Sequence, residues 1–404
     1  MHTGTALALT VLVLIYAVIS GLVNKWYLAP ALVFVVMGMM LGPFGLDVIA
    51  ADDTQTFTTL AQLALTVILF NQAASLDLVK AVRRGHATFR LLIVGIPLAL
   101  VLGTATALVL LPVLPLWEAV CLAAVVAPTE VALIDALLED QRIPERVRHA
   151  LSVESGCYDG FALAAALAAL ALASGHAQGD FSHWGWFLVH TELLAVVLGA
   201  VIGMVGGVVV VASWRRGWMN DTWAQLATLA MALVCFGLAE RVHSSGFVAA
   251  FVGGLGFAAV ARHADSSVPT QVSDAAGQVL ELVVFAIFGG YAIFMGWREI
   301  DWRTVVFCVA ALMLVRPVAV QLALIGTDVP MRSRLFVGWF GPRGIGTLVL
   351  GLLVLGHGGI QNTAVITEAV VITVTLSLLL HSLTAWPGIK FVSRDRLASG
   401  VVQP

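Results

Sequence analysis

The sequence predicts an all-α polytopic membrane protein of about thirteen spanning helices, and three observations carry that expectation. Of the 404 residues, 60% are hydrophobic and only 11% are charged. Soluble domains carry roughly 25% charged residues, so this chain has too few to cover a water-facing surface. Its apolar runs reach the roughly 20 residues that a spanning helix needs, and they exceed the roughly 9–11 alternating residues of a barrel strand, which excludes a transmembrane β-barrel.

Taken in order, the apolar runs fall at about 3–23, 28–44, 57–78, 86–111, 117–138, 149–173, 185–212, 222–240, 246–262, 273–297, 302–325, 333–356 and 361–390. Polar clusters bound them, among them Lys25, Lys80 to Arg84, Arg142 to Arg148, Arg215 and Arg216, and Arg332 with Arg334. The first run is long enough to span and has no basic region before it, so it reads as a retained helix rather than a cleaved leader. Of the 21 Lys and Arg residues, sixteen fall on one side of this layout, three (Arg241, Arg298, Arg303) on the other, and two (Arg316, Arg343) inside runs. That asymmetry predicts the N-terminus outside and the C-terminus in the cytoplasm, and a miscounted helix would have scrambled it. No linker or charge block marks a separate domain, so residues 1–404 read as one transmembrane unit.

A net charge of -3 gives no sign of a nucleic-acid partner. Cys121, Cys157, Cys235 and Cys308 lie in apolar runs without CxxC spacing, so neither a disulfide framework nor a zinc site is indicated. The ten histidines likewise lack metal-ligand spacing, and no resident cofactor is expected.

An ionisable group at bilayer depth costs several kcal/mol and marks a functional site by default. The candidates are Glu130, Asp135, Glu154, Asp159, Glu192, Glu281, Arg316, Arg343 and Glu368. In the fifth run Pro128 lacks an N–H and clashes with the preceding turn, which frees backbone carbonyls beside Thr129 and Glu130. In the sixth run Ser155 and Asp159 share a helical face, with Glu154 about 100° round. Ser155, Asp159, Glu130 and freed carbonyls make the hard oxygen set that a dehydrated monovalent cation requires. Gly341, Pro342, Arg343 and Gly344 break the twelfth run at the corresponding place in the second half. Paired breaks of this kind point to an inverted-repeat transporter with its site at the midplane. Arg343 keeps its proton and needs an anion, for which Glu154 is the expected partner. Glu281 with Arg316 is a second expected pair, and Asp135, Glu192 and Glu368 read as caps or interface groups.

Several of these segments resemble NhaP-type sodium/proton antiporters, in the right order across some 300 residues. They are Ala127-Pro128-Thr129-Glu130, the stretch from Ile143 to Gly160, Gly246 to Gly254, and Leu335 to Gly344. The resemblance implies an inverted-repeat antiporter fold with two broken crossing helices. It also implies a homodimer in the cell (inner) membrane, with core helices over 57–175 and 273–391 moving as an elevator against dimerisation and linker helices over 1–56 and 176–272. By position, Asp159 would be the main cation and proton carrier, Glu130, Ser155 and the Thr129 backbone further ligands, and Glu154 the partner of Arg343. Three residues depart from the family pattern. Glu130 stands where Asp is usual, and its extra methylene brings a larger ion such as K+ into range of the Na+ or Li+ site. Tyr158 replaces the usual Asn, and Asn71-Gln72 offers amides where related members often place an acid, so Tyr158 and Gln72 are expected to line the site.

On this reading the protein is a transporter of small cations and protons rather than an enzyme, with membrane lipid as its surroundings. Proton and cation compete for one buried site, which suffices for exchange, and one-for-one electroneutral exchange is the expectation. A transport-dead sensor or a cation channel on the same scaffold is the alternative, motivated by Tyr158 and Gln72. Tyr158-Asp159 also resembles half of an intramembrane aspartyl protease motif, but Asp180 sits in a polar loop and residue 177 is Ala where those proteases place Gly.

Overall fold

A computed structural model describes residues 3–398 apart from 27, 44, 49–53, 77–85, 131–132, 134–137, 139, 179–180, 265–269, 298–299 and 357–359. Its helices are α1 (Thr3–Lys25), α2 (Pro30–Leu41), α3 (Thr54–Ser75), α4 (His86–Leu110), α5 (Leu116–Val126), α6 (Glu145–Gln178) and α7 (Phe181–Arg215). Next in the chain are α8 (Asp221–Arg241), α9 (Gly246–His263), α10 (Gln271–Ile287, prolonged through Phe288–Ala292 to Ile293–Gly296), α11 (Trp302–Ala323), α12 (Met331–Trp339), α13 (Ile345–Gly356) and α14 (Thr363–Ala398). Among the described residues ten helices are long and apolar enough to cross a membrane, and α2, α5 and α13 are shorter apolar helices. They keep the order of the thirteen predicted runs, with the twelfth divided into α12 and α13.

Glycines let the shorter and more crowded helices approach closely, as small residues do between membrane helices. A methyl on Gly38 of α2, or on Gly42 just after it, would run into the backbone of Ala286 or Gly290 on α10, and one on Gly199 or Gly203 of α7 into Ala249 or Gly253 on α9. The twelve-residue α2 is thereby held along α10. Helix entries are fixed locally: Asn220 accepts from Trp223 N at 3.1 Å, Asp301 from Arg303 N at 3.0 Å, and Ser245 from Val248 N at 3.4 Å.

Two halves repeat one plan. Each has an unbroken helix (α3, α10), then a helix with a π-turn just before Ile96-Pro97 or Arg316-Pro317 (α4, α11). Next comes a crossing broken at Pro128 or Pro342, and last a long helix (α6, α14). The widened turn relieves the clash between a proline ring and the carbonyl four residues back. With the short helices α2 and α5 counted as crossings, as the thirteen-run layout has them, α3 and α10 are the third and tenth, seven apart, and the halves run in opposite directions through the bilayer. This is the inverted repeat that the paired prolines predict.

Outside the breaks, the buried carboxylate Glu118 in the first turn of α5 accepts from the backbone N–H of Gln361 at 2.8 Å and of Asn362 at 3.2 Å. It thus satisfies donors at the entry of α14. Glu368 accepts from Asp301 N at 2.8 Å and caps the start of α11, the kind of role expected of it.

Candidate functional site

Helix α5 stops at Val126 because Pro128 cannot continue it, and helix α12 stops at Trp339 ahead of Gly341 and Pro342. The two extended segments cross in contact: Glu130 N–H donates to the Pro342 carbonyl at 2.8 Å. Backbone groups freed by one proline are therefore partly satisfied by the other break, which is how irregular chain survives at this depth.

Glycine is required where the segments meet. A methyl at Gly344 would lie 2.6 Å from Glu130 Cγ, and one at Gly341 would overlap the Arg316 guanidinium. One at Gly346, in the first turn of α13, would lie 3.3 Å from Asp159 Oδ1. Glu130 and Asp159 thus both stand against the entry of α13, whose unpaired N–H groups and dipole favour negative charge. Both are buried, at 2% and 4% exposure.

Around Asp159 the structure gathers Glu130 and Gln72 of α3. Neither carboxylate oxygen of Asp159 has a partner at normal hydrogen-bond geometry among the described residues, although the Gln72 amide stands close enough to interact with them, and Gln72 Oε1 is also without a partner. Gln72 Nε2 reaches Glu130 Oε1 at 3.5 Å, the outer limit of such a bond. Ser155, one turn before Asp159 on α6, donates its hydroxyl to the Thr129 carbonyl and ties α6 to the first break. Four predicted ligands, Asp159, Glu130, Ser155 and Thr129, therefore stand at the crossing, with Gln72 beside them. Tyr158 is buried and turned toward α4, packed with Ile96, Ala127 and Ala162. Asp135 lies outside the described residues, as do Gly179 and Asp180.

The ion pairs differ from the expected ones. Glu154 pairs with Arg316, Nη1 to Oε1 at 2.8 Å and Nη2 to Oε2 at 3.2 Å, and not with Arg343. Arg316, expected beside Glu281, thus gives its two-pronged contact to Glu154. The cause is the winding of α11. Among its buried positions one row, Thr304, Cys308, Leu312, Arg316 and Val320, recurs every four residues, beside a second row from Phe307 to Ala323, a spacing that a 3.6-residue turn alone would carry off the buried face. The π-turn at Ala311–Val315 inserts a residue and brings Arg316 inward against Gly341, where Nη2 also donates to the Val337 carbonyl at 3.2 Å. Arg343 instead donates through Nη1 to the Pro128 carbonyl at 3.3 Å, and its backbone N–H donates to Ser377 Oγ at 2.7 Å. Among the described residues Arg343 meets the freed Pro128 carbonyl at the crossing rather than a carboxylate.

Sequence reasoning passed over Ser377 and His381 on α14. The signal was present: Ser377 and His381 repeat, four residues apart, the spacing of Ser155 and Asp159.

Residues 9–388 match the family model described as sodium/hydrogen exchanger, transmembrane. Among curated proteins the chain is similar to a probable Na(+)/H(+) antiporter of Schizosaccharomyces pombe, 25% identical over 384 residues, covering 87% of this chain and 50% of that protein. It is also similar to the K(+)/H(+) antiporter NhaP of Alkalimonas amylolytica, 24% identical over 363 residues, covering 86% of this chain and 60% of that one. The chain thus spans about half to three-fifths of these relatives' length. Its fold matches the solved sodium proton antiporter MjNhaP1 of Methanocaldococcus jannaschii with a TM-score of 0.74 at 20% identity, covering 94% of this chain and 98% of that one.

Proposed function

This chain belongs to the sodium/hydrogen exchanger family, and on that premise we propose that it exchanges a monovalent cation for protons across the membrane. The observation that carries the proposal is the pair of buried carboxylates, Asp159 and Glu130, at the crossing of two broken segments, with both Asp159 oxygens unpartnered among the described residues.

Charge accounting at the crossing gives the mechanism. Glu154 and Arg316 cancel in their two-pronged contact. Arg343 offsets one of the two remaining carboxylates, and a single negative vacancy is left. A bare carboxylate at this depth is costly, and either a proton or a cation removes the cost. Each occupant therefore displaces the other. The loaded site is neutral with either, so only loaded states cross readily and the ratio is one for one and electroneutral.

The cation ligands are Asp159, Glu130, the Ser155 hydroxyl and the Thr129 carbonyl. Turning the Gln72 amide by half a rotation would add Oε1. Na+ or Li+ fits this all-oxygen set, and the longer Glu130 side chain brings K+ into range. In this reading the two repeats form a core that moves as an elevator against the remaining helices of a homodimer in the cell membrane, with the C-terminus cytoplasmic. The relatives named as Na+/H+ and K+/H+ antiporters support the exchange and leave both ions in play.

Everted vesicles test the proposal. Addition of Na+, Li+ or K+ to vesicles holding a respiration-driven pH gradient should dequench a pH-sensitive dye, saturably and with reciprocal dependence on pH. A conductive flux that ignores the proton gradient would favour a channel on the same scaffold.

A further inference from the structure

His381 is buried on α14 with both ring nitrogens in contact, and the exchange site does not use it. Its Nε2 lies 2.9 Å from the Trp339 carbonyl, at the last turn of α12. A carbonyl only accepts, so Nε2 carries a proton there. Its Nδ1 lies 3.1 Å from Ser377 Oγ and 2.8 Å from the Ser377 carbonyl. Ser377 Oγ already accepts from Arg343 N–H at 2.7 Å, so the serine's own hydrogen is available to point at Nδ1. A second ring proton on Nδ1 could bond the Ser377 carbonyl, but it would place an imidazolium near the Arg316 and Arg343 guanidiniums. The neutral ring with its proton on Nε2 accounts for the Trp339, Ser377 hydroxyl and Arg343 contacts without that third charge, and leaves the Ser377 carbonyl as a close approach within one helical turn rather than a hydrogen bond.

These contacts form one hydrogen-bonded chain. It runs from Trp339 through His381 and Ser377 to the Arg343 backbone, and from the Arg343 guanidinium to the Pro128 carbonyl at 3.3 Å. We propose that His381, as the neutral Nε2–H tautomer, is a positioning residue for cation exchange, fixing Arg343 and through it the first break beside Asp159. This rests on the exchange reading above. The Trp339 and Phe340 rings, with centroids 6.0 and 6.1 Å from the imidazole, hold the ring in place.

The test compares His381→Leu with His381→Gln in proteoliposomes, because Gln keeps a donor for Trp339 and an acceptor for the Ser377 hydroxyl. Losing a link of this kind should raise the apparent KM for Na+ about tenfold in His381→Leu while leaving Vmax near the wild-type value, with a lower Tm because the Trp339 carbonyl loses its donor. His381→Gln should restore the KM. An unchanged KM in His381→Leu, or a lowered Tm with equal loss in both variants, would reduce His381 to packing and overturn the proposal. Should His381→Leu fail to fold, Ser377→Ala breaks the same chain and carries the same KM prediction. Nitrogen NMR of ring-labelled histidine in the wild-type protein reads the tautomer without reference to transport. A neutral ring protonated at Nε2 supports the proposal and a doubly protonated ring overturns it. Absence of exchange in the wild type would instead count against the exchange reading.

Discussion

At the first break a serine on α6, Ser155, bonds the peptide after Pro128, and the group four residues on is Asp159. At the second a serine on α14, Ser377, bonds the peptide after Pro342, and the group four residues on is His381. Both halves tie a serine of the long helix to the residue after the proline, Ser155 donating to the Thr129 carbonyl and Ser377 accepting from the Arg343 N–H, and they differ also in the side chain one turn beyond the serine. Asp159 ends in two oxygens without hydrogen-bond partners among the described residues, whereas both His381 nitrogens are engaged. Among the described residues one half keeps an open valence and the other closes it, so on the proposed reading the repeated scaffold carries its ion at the Asp159 side.

The largest effect that would break this comparison is at the open side. Asp159→Asn should abolish exchange in proteoliposomes while leaving the protein folded by size-exclusion and thermal shift, because it removes the charge and keeps the shape. Residual saturable exchange would place the carrier elsewhere. Next comes the charge pair beneath the breaks. Removing one partner of a buried ion pair costs about 3–5 kcal/mol, so Arg316→Gln should lower Tm sharply and Glu154→Gln in addition should recover much of the loss. Arg343→Gln, which removes a guanidinium bonded to a carbonyl, should lower Tm less. If Arg343→Gln proved the more damaging, the pairing of Glu154 with Arg316 would be wrong.

The fold was largely legible in the sequence, because spanning runs and interrupting prolines are dictated by the bilayer itself. Pro128 and Pro342 in matching places foretold the crossing, and the Ser155 and Asp159 spacing foretold which face of α6 lines it. The partner of Glu154 was not legible. Two arginines lay within reach, and the choice turned on the extra residue wound into α11 at Ala311–Val315, which a 3.6-residue periodicity does not anticipate. His381 escaped notice for a related reason: its role depends on the Trp339 carbonyl, a backbone group that sequence does not display.

A smaller effect sharpens the comparison at the point of contact. Gly344→Ala places a methyl 2.6 Å from Glu130 Cγ, so it should shift cation affinity several-fold by displacing that carboxylate, in a flux assay over a range of cation concentrations. The smallest is Glu130→Asp, which shortens the second carboxylate by one methylene and should move the preference from K+ toward Na+ or Li+ with exchange retained. An unaltered ion preference would remove Glu130 from the ligand set.

The central claim is that proton and cation share one vacancy. It is tested most directly by titrating purified, weakly buffered protein with its preferred cation while recording pH. The account predicts one proton released per cation bound in the wild type and none in Asp159→Asn. Stoichiometric cation binding without proton release would contradict it.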